Sequence, residues 1–165
     1  MATTALKGTP VQTNSDLPAS GSAAPDFVLV GVDLSESTLG SFEGKKKILT
    51  INPSYDTPVC QAAARTFNQR AASLDNVVVL VISPDLPFAQ NRFCSAEGLE
   101  GVVPLSTFRG SFLQDYGVEM IDGAMKGLAA RAIVVLDENN KVVHTELVAD
   151  IVKEPDYDAA IAAVS

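Results

Sequence analysis

Two cysteines and one histidine, Cys60, Cys94 and His144, are the side chains here most suited to nucleophilic or metal chemistry. Cys60 closes the run Asn52-Pro53-Ser54-Tyr55-Asp56-Thr57-Pro58-Val59-Cys60. The aliphatic segment before it reads as a strand that Pro53 stops. Thr57 stands where a helix N-cap belongs, and Pro58 falls at the first helical position, where its missing N–H is not needed. Cys60 therefore lies in the first helical turn, where the positive end of the helix dipole favours a thiolate over a thiol.

That placement alone does not make a nucleophile. An ordinary thiol has a pKa of about 8.5, and bringing it to about 6 requires roughly 3.4 kcal/mol. A helix terminus supplies about 0.3–1 kcal/mol and at most about 2. A cation or several hydrogen-bond donors must supply the rest. Arg65 lies five residues along the same helix, about 140° around from Cys60. Lys45, Lys46 and Lys47 lie at the start of the incoming strand, at the wrong end, and Lys141 falls at that same end. Arg109 is within reach. Arg131 is the better candidate, because it immediately precedes a segment, Ala132 to Leu136, that emerges at the Cys60 edge if it runs antiparallel.

The elements that must position these groups follow from pattern. Phe27 to Val30 and Lys47 to Asn52 read as strands. A helix is expected from about Pro58 to Leu74, with Val59, Ala63, Phe67, Ala71 and Leu74 on one stripe. Val77 to Ser83 is a continuous aliphatic run, as in a parallel strand covered on both faces. Asp85 is expected to cap a second helix that ends near Gly98. A short strand over Val102 to Leu105 and a brief helix over Phe112 to Tyr116 come next. Ala132 to Leu136 and Lys141 to Val148 form a hairpin around Asp137-Glu138-Asn139-Asn140. A last helix carries Tyr157, Ala160, Ile161 and Val164. Turn residues near Val11 allow an N-terminal hairpin. This order predicts one α/β domain over residues 1–165: a thioredoxin fold, with a mixed central sheet flanked by helices and an N-terminal hairpin extension.

Composition narrows the function classes. A net charge of -8, from 12 Lys+Arg against 20 Asp+Glu, argues against nucleic-acid and anionic-membrane partners, which need clustered cations. The run Lys45-Lys46-Lys47 reads as a solvated loop leading into a strand. No apolar leader is evident, and Val77 to Ile82 is far too short to span a bilayer, so a cytoplasmic location is expected. A reducing cytosol disfavours a permanent disulfide, leaving the cysteines either inert or redox-active. One histidine and two distant cysteines make a zinc site improbable, and His144 reads as a strand-surface residue. Gly40 to Lys45 does not fit a P-loop, and no nucleophile elbow accompanies a serine. No metal and no cofactor are expected.

The segment from Pro53 to Cys60 resembles the Pro-x-x-x-Thr-x-x-Cys motif of the peroxiredoxins. The wider chain is similar to one subgroup, the bacterial thiol peroxidases or atypical two-cysteine peroxiredoxins. The likeness is carried by Asp33-Leu34-Ser35 with Thr38-Leu39-Gly40, Asp85 to Gln90 leading to Arg92-Phe93-Cys94, and Leu105 to Arg109. It continues through Gly127 to Arg131 and Glu154 to Tyr157. The resemblance implies a thiol-dependent peroxidase acting on hydrogen peroxide and alkyl or lipid hydroperoxides in antioxidant defence. It implies that Cys60 is the peroxidatic cysteine, oxidised to a sulfenic acid, with Thr57 and Arg131 activating it and Pro53 shielding it. By the same resemblance Cys94 is the resolving cysteine, closing an intramolecular disulfide that thioredoxin reduces. A disulfide needs Cα atoms about 5.5 Å apart, so the rigidity of a helix predicts that residues around Cys94 unwind for closure. A homodimer in the bacterial cytoplasm is implied too. From the residues alone, Cys94 beside Phe93 also fits an inert core position. A thioredoxin-like oxidoreductase would need Cys where Thr57 stands, whereas a redox sensor would use the same Cys60 thiolate.

Overall fold

The structure, a computed structural model, describes residues 1–165. Its first two strands, β1 (Thr3–Leu6) and β2 (Thr9–Gln12), form a separate hairpin. Their two-residue turn, Lys7-Gly8, has positive φ at both positions (50° and 85°), as the twist of a tight hairpin requires. The body of the chain follows as β3 (Leu29–Gly31), β4 (Glu36–Ser37), a 3-10 turn (Leu39–Phe42), β5 (Lys46–Ile51), α1 (Pro58–Ala71) and β6 (Val77–Ser83). It continues as α2 (Pro87–Glu97), β7 (Val103–Ser106), α3 (Phe112–Asp115), β8 (Ala132–Leu136), β9 (Val142–Leu147) and α4 (Tyr157–Ala163).

Seven strands make one sheet in the order β4-β3-β7-β6-β5-β8-β9. β5, β6 and β7 run parallel, joined through α1 and α2, while β8 lies antiparallel to β5 and β9 antiparallel to β8. This is the expected thioredoxin fold with its hairpin extension. Alternate residues of the central strands enter cores on opposite faces. Leu49, Ile51, Leu80, Ile82, Val134 and Leu136 meet Phe27, Phe112 and Tyr116 on one side. Ile48, Val79, Val81, Ile133 and Val135 meet Phe67 of α1, Cys94 of α2 and Ala160 and Val164 of α4 on the other.

Several local expectations need correction. α1 stops at Ala71; Ser73 and Leu74 turn back on Arg70 and Ala71 through shorter-range bonds, and Leu74 still packs on the core. Asp85 does not cap α2, whose N-cap is Leu86 without a side-chain bond. Gly98 does end that helix in the left-handed conformation (φ 65°), which glycine adopts without a Cβ penalty. The basic run is solvated only at its start: Lys45 is exposed before the strand, whereas Lys46 and Lys47 belong to β5 and Lys47 is 0% exposed. Its ammonium donates to the Asn140 Oδ1 (2.7 Å) and the Lys45 carbonyl (3.0 Å), and burial lowers its pKa. The residues β4 and the 3-10 turn occupy are too few to show a period in sequence.

The hairpin is fastened to the turn after β9. The Asp150 carboxylate accepts the backbone N–H groups of Gly8 (2.8 Å), Lys7 (3.0 Å) and Val152 (3.1 Å). Bonds from the Val152 and Gly8 amides are the main reasons its pKa is lowered, with Lys7 adding to them. A carboxyl whose folded pKa is depressed stabilises the fold above its unfolded value, about 3.9, and loses that contribution as pH falls through the folded value. Asp150→Asn should therefore lower the melting temperature from pH 5 to 7. The gap from wild type should close below about pH 4, read by circular dichroism melts across that range.

Candidate active site

In the β5–β8 ladder Ile51 lies opposite Ala132. The next residue out on each side, Asn52 and Arg131, therefore meets the other at one edge of the sheet, where the loop to α1 departs. Pro53 is buried in that loop. Thr57 is the N-cap of α1, with extended backbone (φ -104°, ψ 144°). Its Oγ1 accepts from the Cys60 N–H (3.4 Å) and donates to the Ser54 carbonyl (3.0 Å). Cap and proline together set Cys60 in the first turn, where it is only 1% exposed.

Arg131 is equally buried, at 1% exposure. Its Nη1 donates to the Cys60 Sγ (3.1 Å) and the Asn52 Oδ1 (2.9 Å), and its Nε donates to the Ile151 carbonyl (3.0 Å). No carboxylate pairs with it, since the ion pairs involve Arg65 with Glu97, Arg70 with Asp158, Arg109 with Glu36 and the amino terminus with Asp16. Two of its three partners are neutral amide oxygens. The Cys60 sulfur is the one contact able to carry a compensating negative charge. Arg109, the other cation within reach by sequence, is held in a surface ion pair, as is Arg65.

Cys94 has a different environment. It lies near the end of α2, 8% exposed, within the apolar cluster that holds Tyr55, Phe67 and Val81. Burial pushes its thiol up to about 11, against a smaller opposing pull from the Tyr55 hydroxyl. Tyr55 stands beside both sulfurs: burial first, then negative charge at Cys94, Asp85 and Cys60, raises its hydroxyl well above the usual value. It donates to the Val81 carbonyl (3.1 Å), and its ring lies 5.2 Å from that of Phe93. Both cysteines are free thiols. Cys94 also forms part of the wall of a surface pocket of about 370 Å³, with Asn91, Ser95 and Leu99.

The Redoxin family profile matches residues 19–161. A thiol peroxidase of Mycobacterium bovis is 52% identical over 164 residues, covering 99% of each chain. The chain belongs to the peroxiredoxin family. Among solved structures, a peroxiredoxin-like protein from Aquifex aeolicus superposes with a TM-score of 0.94 at 38% identity, covering 99% of this chain and 96% of that one. Thiol peroxidase from Chromobacterium violaceum gives 0.90 at 25% identity, over 96% and 93%. This peroxiredoxin is thus an enzyme, a thiol-dependent peroxidase.

Sequence reasoning brought Cys60, Thr57, Pro53 and Arg131 to one place, and the structure gathers them there. It missed Asn52, which holds the guanidinium, and Asp85. The Asp85 carboxylate accepts from the Tyr55 N–H (2.7 Å), the Ser83 Oγ (2.7 Å) and the Ser54 Oγ (2.8 Å). It thereby fixes the loop that presents Thr57. No local pattern marks the contacts of Asp85 with Ser54 and Tyr55 or of Asn52 with Arg131, because those partners lie about 30 to 80 residues away. His144 does not join the site: it is half-buried on β9 opposite Val135, with Nε2 lacking a partner. Arg131→Ala, made in a Cys94→Ser background so that Cys60 is the sole thiol, should slow iodoacetamide alkylation at pH 7 by about tenfold or more. Arg131→Lys should fall between, because a point charge cannot reproduce the fork. An unchanged alkylation rate in Arg131→Ala would remove this arginine from the site.

Proposed function

We propose that Cys60 is the peroxidatic cysteine and reacts as a thiolate. The observation that carries this reading is the buried Arg131 guanidinium, 3.1 Å from the sulfur and without a carboxylate. Leaving a cation uncompensated in the interior costs several kcal/mol, so the pair favours negative charge on the sulfur. The thiolate attacks one oxygen of a hydroperoxide. The O–O bond breaks, the sulfur becomes a sulfenic acid, and the other oxygen leaves as water or alcohol after taking a proton. The Arg131 guanidinium stabilises charge developing on the oxygens. The Thr57 hydroxyl, which rests on the Ser54 carbonyl, turns to hold the peroxide, and Pro53 keeps bulk water away. Hydrogen peroxide and alkyl or lipid hydroperoxides are the substrate class.

Cys94 is the resolving residue in this reading. Its thiol attacks the Cys60 sulfenic sulfur, forming an intramolecular disulfide and releasing water, and the dithiol of a thioredoxin then reduces that disulfide. A thiol pushed up to about 11 in an apolar cluster is a poor nucleophile where it sits. The last turn of α2 therefore unwinds, bringing Cys94 into water and towards Cys60. The long likeness to bacterial thiol peroxidases supports assigning the chain to antioxidant defence in a bacterial cytoplasm, as a homodimer.

Stopped-flow peroxide consumption with a thioredoxin system tests the scheme. Cys60→Ser should be inactive, and Cys94→Ser should consume about one equivalent of peroxide and then stall. Sustained turnover by Cys60→Ser would sink the mechanism. Hydrogen exchange should show lower protection over residues 91–97 in the oxidised than in the reduced protein. Equal protection in the two states would count against unwinding.

A further inference from the structure

Arg131 is aimed at Cys60 partly by a carbonyl that no strand or helix holds. Its Nε donates to the Ile151 carbonyl (3.0 Å), which lies in the turn between β9 and α4. An irregular turn has no ladder of its own to fix a carbonyl. Beside the Val148 N–H on the Arg131 carbonyl (3.0 Å) and the Val152 N–H on Asp150 (3.1 Å), the fastening comes from the far end of the chain. The Thr4 Oγ1 donates to the Val148 carbonyl (2.8 Å), and the Ile151 N–H donates to the Ala5 carbonyl (2.8 Å). The successive amides of Lys7 and Gly8 converge on the Asp150 carboxylate, as in an anion-holding backbone concavity. The Ile151 side chain packs with Val11, Met120 and Ala130 in a small cluster beneath the hairpin. The Redoxin profile begins at residue 19, so β1 and β2 lie outside the matched region.

We propose that the N-terminal hairpin is a positioning element for Arg131, and that it acts through Asp150. The hairpin's turn holds the Asp150 carboxylate, which fixes the adjoining Ile151 carbonyl, and that carbonyl orients the guanidinium on the Cys60 sulfur. Asp150 is a positioning residue that touches neither sulfur nor substrate. The consequence for turnover rests on the peroxidase reading. The geometric claim concerns the reactivity of Cys60 towards any electrophile.

The test uses the full chain carrying Cys94→Ser, with Cys60 alkylation by iodoacetamide followed against pH. Asp150→Asn should slow alkylation at pH 7 by about threefold to tenfold and move its midpoint to higher pH, the direction expected of a loosened cation. Thr4→Val, a milder release of the same turn, should change both in the same direction by less. Adding Asp150→Asn to Arg131→Ala should bring no further loss, because the residue acts through the arginine. Asp156→Ala, which removes the cap of α4, should lower the melting temperature and leave the alkylation profile in place. The assignment is overturned if Asp150→Asn lowers the melting temperature alone, or if its effect on alkylation is undiminished in Arg131→Ala. Wild type that consumes no peroxide, yet shows this coupling in alkylation, would defeat the peroxidase reading and uphold the hairpin's role.

Discussion

A guanidinium without a carboxylate partner, out of contact with water, is the constraint on which the rest of the structure turns. Each partner of Arg131 comes from a different place: Asn52 from the end of β5, Ile151 from the turn after β9, and Cys60 from the first turn of α1. An arginine so buried is tolerated only where its donors are met and its charge is answered. Neutral oxygens do the first, and only the sulfur can do the second. In the proposed thiolate, the dipole of α1, whose start Thr57 and Pro58 set, adds a smaller contribution. The strand ends, the helix start and the closing turn have to converge for a single side chain.

The two sulfurs differ because the sheet places them in unlike surroundings. Cys60 meets a cation at the edge where strands end, and Cys94 lies among Tyr55, Phe67 and Val81. Burial without a cation raises a thiol, and the same burial with one keeps an anion dry and reactive. Tyr55 borders both environments, and Asp85 ties the Tyr55 amide and Ser54 to the β6–α2 connection. The loop before Cys60 and the approach to the Cys94 helix thus share one half-buried carboxylate.

Much of this was legible in the sequence. The aliphatic run at Val77 to Ser83 and the segment Ala132 to Leu136 were read to the residue, because strands buried on both faces leave unbroken apolar stretches. Thr57, Pro58 and Cys60 were readable because capping is local. Arg131 was found by placing sequence on topology and asking which cation emerges at the right edge. Asp85 looked like a helix cap by position but serves contacts about thirty residues upstream, a preference that tertiary structure overrode. Lys47 was misjudged for a related reason: a lysine in a basic run looks solvated until a distant Asn140 gives its ammonium a partner. Asn52 and Asp150 carry no local mark, since each matters only through a residue far away in the chain.

The buried lysine bears on the folding of the sheet as well. β5 and β8 are covered on both faces, so sliding one past the other by a residue would exchange one apolar face for another. Alternation of polar and apolar residues, which usually forbids such a slip, says little here. The polar pairs at the two ends say more. Arg131 meets Asn52 at one end of the ladder, and Lys47 meets Asn140 near the other. A shift of one position would strand both cations in the interior at once. The arginine that meets the Cys60 sulfur thus also pins the alignment of the strands that present it.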